Sequence, residues 1–485
     1  MTRPVTFLPA RLARAAGAAT GVGIVLALPG VAAAHGLTPT YQSPLPLAVY
    51  LVGAAVTVAL SFVFVLARDV RATDTPEGRH VGVHPAVRVL LRAVGLLGWA
   101  WIMAQAIAGG SSDAAVAALF LWVFGWVGIA IVSALLFPVW EWLDPFATLH
   151  DIGAWVLRRL GVRGLEPSPI PPSLQLWPAV AGLAFFVWLE LVPIISNASL
   201  TVVLLAYTLL TLALMAQFGR DEWRSTGETF TVWFRTLNRL APWGYVDGEH
   251  VERRGFAAAL LRGPWPTAIV ALIAIGVASI IFDGLSQTVA FASVFGAPAL
   301  GFKTVLLLAW LAIVVGSSLL VGRMVSMGAI GAGLLPIAVG YLVAHYLTYL
   351  LIDGQRIIVA LSDPLQQGQD LFGTAFFEPT FDWLPAGLVW TVQLAAVVGG
   401  HMLGAWAGHV TAQRDMEAMA HPPQQRDMRH RKLPATPAPA RNVRMREIPL
   451  AIVMVALTTI TLWSLGQAIV VEEEEGAVPP VVALR

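Results

Sequence analysis

The sequence predicts an all-α fold: a polytopic transmembrane helix bundle of about ten spans after an N-terminal signal peptide, with inner interfacial helices besides. Three observations predict it. Of 485 residues, 57% are hydrophobic and only 12% charged, where soluble domains carry about 25%. Apolar stretches near the ~20 residues that cross a bilayer recur along the chain. Lys and Arg gather in alternate connections between those stretches, as the positive-inside rule requires.

The elements follow in order. Arg3, Arg11 and Arg14 precede an apolar run from Ala15 to Leu28, then Pro29-Gly30 and Ala32-Ala33-Ala34. That is the pattern of a secretory signal, 1–34; the rival reading is an uncleaved first span. Cleavage after Ala34 would make His35 the mature N-terminus. Its ring and its new α-amine would together suit Cu(II), while the bland reading is an ordinary chain start. Ten apolar stretches come next, at about 45–67, 93–110, 114–137, 175–194, 198–218, 264–282, 303–322, 331–353, 385–408 and 448–470. They divide the mature chain into a transmembrane domain (35–410), a basic Pro-rich cytoplasmic linker (411–447), a last transmembrane helix (448–470) and an acidic outer tail (471–485).

Charge sets the orientation. With His35 outside and the chain alternating, the inner segments 68–92, 138–174, 219–263, 323–330 and 409–447 hold 24 Lys and Arg. The outer segments hold three: Lys303, Arg356 and Arg485. An error of one span would scramble this asymmetry. The stretch 141–161 reads as an inner interfacial helix opened by Asp144-Pro145. Residues 226–245 read similarly, with aromatics suited to the headgroup level. In the outer connection 354–384, Ser362-Asp363-Pro364 reads as a helix start.

The chain has no cysteine, which excludes disulfides, thiolate metal sites and thiol nucleophiles. Ionisable groups within spans are costly and are therefore functional candidates. His345, Tyr349 and Asp353 lie at i, i+4 and i+8 on one helix face, with His345 ~12 Å deeper than Asp353. The imidazole could take a metal or a proton and the Asp could ligate or orient it; equally, the His could be a bonded member of a bundle. Glu190 sits in the outer half of an apolar stretch and must be paired, protonated or cation-bound. His401 lies deeper toward the inner face, and His409 at the inner boundary reads as solvated. The two could ligate a b-type haem, although their spacing does not demand it. Gln393 matches the depth of His345 better. Glycines 399, 400, 404 and 408 would let a neighbouring helix approach. The expected site is an outward-facing polar pocket of Glu190, His345, Tyr349, Asp353 and Gln393, with His35 on the same side. A divalent metal, Zn or Cu, would be held by His345, Asp353, Glu190 and His35.

Five motifs, "AHGL" (34–37), "LDPFATL" (143–149), "GETFTVWFRTLNRLAPW" (227–243), "SDPLQQGQDLFGTA" (362–375) and "GHMLGAWAGH" (400–409), resemble polytopic actinobacterial membrane proteins labelled fenitrothion hydrolase. The resemblance runs from residue 35 to about 410. It implies a bacterial plasma membrane and a membrane-bound organophosphorus hydrolase, and it brings no catalytic residues with it. Phosphotriester hydrolysis commonly uses a metal to activate water. His345, Asp353 and Glu190 would be its ligands, and Tyr349 would donate to the developing oxyanion. The sequence lacks H-E-x-x-H and the G-x-S-x-G elbow. Two other classes stand beside the enzyme: a transporter or copper-handling membrane protein, and a membrane subunit of a larger complex. The expected partners are the lipid bilayer, an apolar small molecule, and a membrane protein or second copy of the chain. No nucleic acid is expected.

Overall fold

A chain this apolar must satisfy its backbone N–H and C=O groups internally, and a helix does so within one segment. The computed structural model describes residues 78–108, 115–162, 166–193 and 195–420, with residues 449, 452–457, 459, 460 and 463 of the last apolar stretch. It is mostly helical, and seven of its helical segments are long and apolar enough to cross a membrane. The principal helices are α1 (Pro85–Ala108), α2 (116–135), α3 (Pro145–Arg159), α4 (Trp177–Leu191), α5 (Asn197–Phe218), α6 (Arg220–Thr226), α7 (Thr229–Asn238), α8 (Thr267–Ser286), α9 (Val289–Phe295), α10 (Leu300–Met324), α11 (Met327–Ile352) and α12 (Ala386–Ala420). Each of the eight apolar stretches expected between 93 and 408 holds one of α1, α2, α4, α5, α8, α10, α11 and α12. Helix α4 is the short one, with 15 residues. The signal peptide, His35, the stretch 45–67 and the acidic tail lie outside the described residues.

Helix α8 is the axis of the packing. Every residue from Ala268 to Phe282 is buried, as expected of a helix that is apolar all round. Helices α11 and α12 meet through glycine. A Cβ on Gly340 would stand 2.4 Å from the Ala396 carbonyl oxygen, one on Gly400 would stand 2.6 Å from that of Pro336, and one on Gly404 2.4 Å from that of Gly333. Backbone approaches backbone there because no side chain intervenes. Of the four glycines picked out in the sequence, Gly399 faces open space instead. Met454, from the last apolar stretch, is fully buried against this crossing. Within α2, residues Leu119–Ile129 form a π-helix, and its buried Trp126 stacks on Trp233 at 5.8 Å between centroids.

The connections gather at two ends. At one end, strands β1 (Arg79–Gly82), β2 (Trp243–Tyr245) and β3 (His250–Arg253) form an antiparallel sheet in the order β1-β3-β2. Val81 pairs with Val251, and Gly244 with Glu252. Arg88 bonds Glu249 at 2.9 Å, Arg220 reaches Asp151 at 2.7 Å, and Arg414 donates to the Leu261 carbonyl. These residues belong to four segments assigned to the inner side by charge. At the opposite end, Trp101 donates to the Pro364 carbonyl at 2.7 Å and Gln105 to Gln366 at 2.8 Å.

Two local expectations differ in the structure. The aromatics of 226–245 do not lie on the protein's surface: nine of the ten residues of α7 are buried, because Phe230, Trp233 and Phe234 pack among Trp126, Trp140 and Phe186. Ser362-Asp363-Pro364 ends a helix, Ile357–Ser362, rather than starting one. The Asp363 carboxylate turns to accept from the Gln367 and Gly368 amides, each at 2.9 Å, which folds the chain away. Helix α12 continues through Ala420, into the segment expected as the basic linker. Asp144-Pro145 does open α3: the Asp144 carboxylate accepts from the Phe146 and Ala147 amides, and Pro145 supplies the first helical residue.

Candidate functional site

Polar residues of the long apolar helices converge where α8, α11 and α4 approach one end of the bundle. Asp283, one residue beyond the unbroken apolar run of α8, is their centre. Its Oδ2 takes a hydrogen bond from His345 Nε2 at 2.9 Å and another from the Tyr346 hydroxyl at 3.0 Å. Its Oδ1 accepts from Gln287 Nε2 at 2.6 Å, one helical turn along. Three side-chain donors therefore hold one carboxylate. Neither partner of the His345–Asp283 contact is sealed: their side chains are 19% and 14% exposed. The second oxygen of Glu190, Oε2, is buried with no hydrogen-bond partner among the described residues. Glu190 lies within electrostatic reach of Asp283, and Tyr349 within reach of Asp353, Glu190 and Asp283.

The residues predicted from the sequence are thus partly assembled. His345 bonds Asp283, and Glu190 and Tyr349 lie within electrostatic reach of it. Asp353 follows at the end of α11 in a 3₁₀ turn and bonds Arg356 at 3.3 Å, so it is not the carboxylate that orients His345. Gln393 donates to the Ala344 carbonyl at 2.7 Å, placing it beside His345 on the neighbouring helix. His401 belongs elsewhere: it bonds the Tyr341 hydroxyl at 3.2 Å and the Val397 carbonyl at 2.7 Å, in a buried contact between α11 and α12. His409, expected to be solvated, is buried at 3% exposure, and α12 continues past it to Ala420. Among the described residues no three of His, Asp and Glu come together as a metal-ligand set. His35 lies outside the described residues.

Asp283 and Tyr346 were missed in the sequence. Asp283 follows a run of fifteen buried residues and looks like the first residue of a connection. The helix in fact continues one more turn to Ser286, which returns the carboxylate to the bundle. The usable signal was Gln287 at i+4, a donor on the same helix face.

A second cluster of buried charge lies at the opposite end. Arg224 bonds Asp144 at 2.8 Å and Glu141 at 3.1 Å, and Glu141 is also gripped by Arg235 at 2.5 and 2.9 Å. Burial would lower the Arg224 guanidinium, but the Asp144 and Glu141 carboxylates outweigh it and push its pKa up. Glu228 caps α7 through the Phe230 and Thr231 amides and accepts a short hydrogen bond from Tyr207. Burial, reinforced by the Asp144 charge, raises its pKa. Arg239, over the Trp265 ring at 4.2 Å, is lowered to about 10 by burial and by the neighbouring Arg254. All these groups are paired or capped, so the cluster reads as a brace joining the inner segments.

Comparison of the chain with protein-family models, curated proteins and solved structures finds no match.

Proposed function

We propose that this chain is a membrane-embedded hydrolase of apolar esters, of the phosphotriester class, with His345 as general base and Asp283 as its orienting carboxylate. The observation that carries the reading is the 2.9 Å contact between His345 Nε2 and Asp283 Oδ2. A carboxylate on one ring nitrogen fixes the tautomer and leaves Nδ1 to accept a proton. Water attacks phosphorus as Nδ1 takes its proton; the new P–O bond forms and the bond to the aryloxide leaving group breaks. The imidazolium formed is stabilised by Asp283, which the Tyr346 and Gln287 donors hold in place. Tyr349, one turn along α11, is the candidate donor to the developing oxyanion. The outer half of a membrane suits a substrate that partitions into lipid, and the resemblance of the sequence motifs to fenitrothion hydrolases supports the same class.

A second reading, a cation- or proton-coupled transporter, is favoured by Glu190, whose buried Oε2 lacks a partner next to a second carboxylate. One pair of assays separates the two. Purified protein in detergent is tested for nitrophenol release from an organophosphate, and proteoliposomes for solute uptake. On the hydrolase reading, His345→Ala and Asp283→Asn each lower kcat by about 10²-fold or more, the scale of general-base catalysis. Hydrolysis unchanged in both variants overturns it, and uptake abolished by Glu190→Gln without any hydrolysis establishes the other.

A further inference from the structure

An open apolar pocket of about 360 Å³ lies against the end of α8. Its walls are Phe282 and Leu285 of α8, Phe291 of α9, Leu306 and Trp310 of α10, and Trp463 of the last apolar stretch. Small-molecule pockets run from about 300 to 1,000 Å³. Among the described residues of the wall the one hydroxyl, on Thr288, already donates to the Leu285 carbonyl at 2.8 Å and caps α9 by accepting from the Phe291 amide at 3.1 Å. Trp310 Nε1 is likewise committed, to the Ala278 carbonyl at 2.9 Å. At the rim, Val294 is 71% exposed, and Phe302 and Val305 are also exposed. Leu308 and Ile313 of α10 are exposed as well. Exposed apolar surface of this kind suits a lipid environment.

One cation stands beside this cavity. Lys303 lies in the first turn of α10, at i−3 from Leu306 and i−7 from Trp310, so it shares their helix face. Its ammonium makes no hydrogen bond or ion pair among the described residues, and Asp283 is the charge within its electrostatic reach. It is also one of three Lys or Arg that the sequence places on the outer side. The positive-inside bias makes an outer lysine a position that needs a reason. The uncapped N-terminus of the 25-residue α10 adds positive potential at the same place.

We propose that the cavity binds an acyl chain of an anionic phospholipid whose headgroup phosphate is held by Lys303. The proposal is independent of the hydrolytic reading, since no residue of the Asp283–His345 pair takes part. The experiment is native mass spectrometry of the full chain, purified in detergent and incubated with equimolar dioleoyl-phosphatidylglycerol and dioleoyl-phosphatidylcholine. Wild type retains the anionic lipid in preference. Lys303→Gln reduces that preference about tenfold, the equivalent of ~1.4 kcal/mol, whereas Lys303→Arg keeps it. Ala290→Trp, which fills the cavity from its wall, lowers retention of both lipids. Val294→Trp, at the exposed rim, replaces it if the first variant does not elute as wild type does. An anionic preference unchanged in Lys303→Gln, or undiminished retention in the filled variants, overturns the proposal.

Discussion

Asp283 shows how a single residue organises an apolar bundle. One carboxylate accepts three side-chain hydrogen bonds and joins α8 to α11. Asp144 does the same at the other end, where it caps α3 and pairs with Arg224 while wholly buried. The two functions of Asp144 differ in magnitude. Loss of a helix cap costs about 1 kcal/mol. Breaking the buried Arg224–Asp144 ion pair costs up to about 3–5 kcal/mol, even with Glu141 still on the guanidinium at 3.1 Å. Asp144→Ala should therefore destabilise the protein by the larger amount, and Asp144→Asn, which keeps a cap, by nearly as much. Denaturant titration in detergent micelles measures both; a loss near 1 kcal/mol would show that Glu141 alone holds Arg224.

At the scale of the element, the sequence motifs and the structure divide the work differently than expected. "LDPFATL" supplies the cap and ion pair of α3, "GETFTVWFRTLNRLAPW" a buried helix rather than a surface one, and "SDPLQQGQDLFGTA" a turn closed by Asp363 and Asp370. "GHMLGAWAGH" supplies the glycines that seat α12 on α11. These motifs build the frame, and the candidate site lies between them. The α11–α12 contact leaves no room for a side chain, so Gly340→Val should cost about 1–3 kcal/mol through overpacking. It should also loosen the His401–Tyr341 contact, whose residues directly follow Gly400 and Gly340. Loss of thermal stability in detergent checks it, and a variant as stable as wild type would mean that α12 can shift outward freely.

For the whole molecule, sidedness is the first-order question, because it decides which face of the membrane the candidate site opens to. The structure collects four segments rich in Lys and Arg at one end and places the Asp363–Asp370 turn at the other. The absence of native cysteine makes a direct measurement simple. Single cysteines introduced as Gly248→Cys, in the exposed β2–β3 turn, and Gln369→Cys, in the exposed outer turn, should react with a membrane-impermeant maleimide from opposite faces of sealed vesicles. Equal labelling from one face would refute the alternating topology and with it an outward site.

Hydropathy determined the long apolar helices and their approximate ends, because that signal is local in the chain and depends on solvent alone, and charge counting predicts their alternation. Depth followed from the same counting, which is why Glu190, His345 and Gln393 were legible as members of one layer. The partner of His345 was not. Asp353 had the right helical spacing, but pairing is decided by which helices adjoin and how they are rotated, and that is set by glycine seams such as Gly340 on Ala396. Only the packing brought Asp283 to His345 across two helices 62 residues apart in sequence. Only the packing turned the aromatic face of α7 inward, onto Trp126 and Phe186, where a sequence read against water and lipid placed it at the surface.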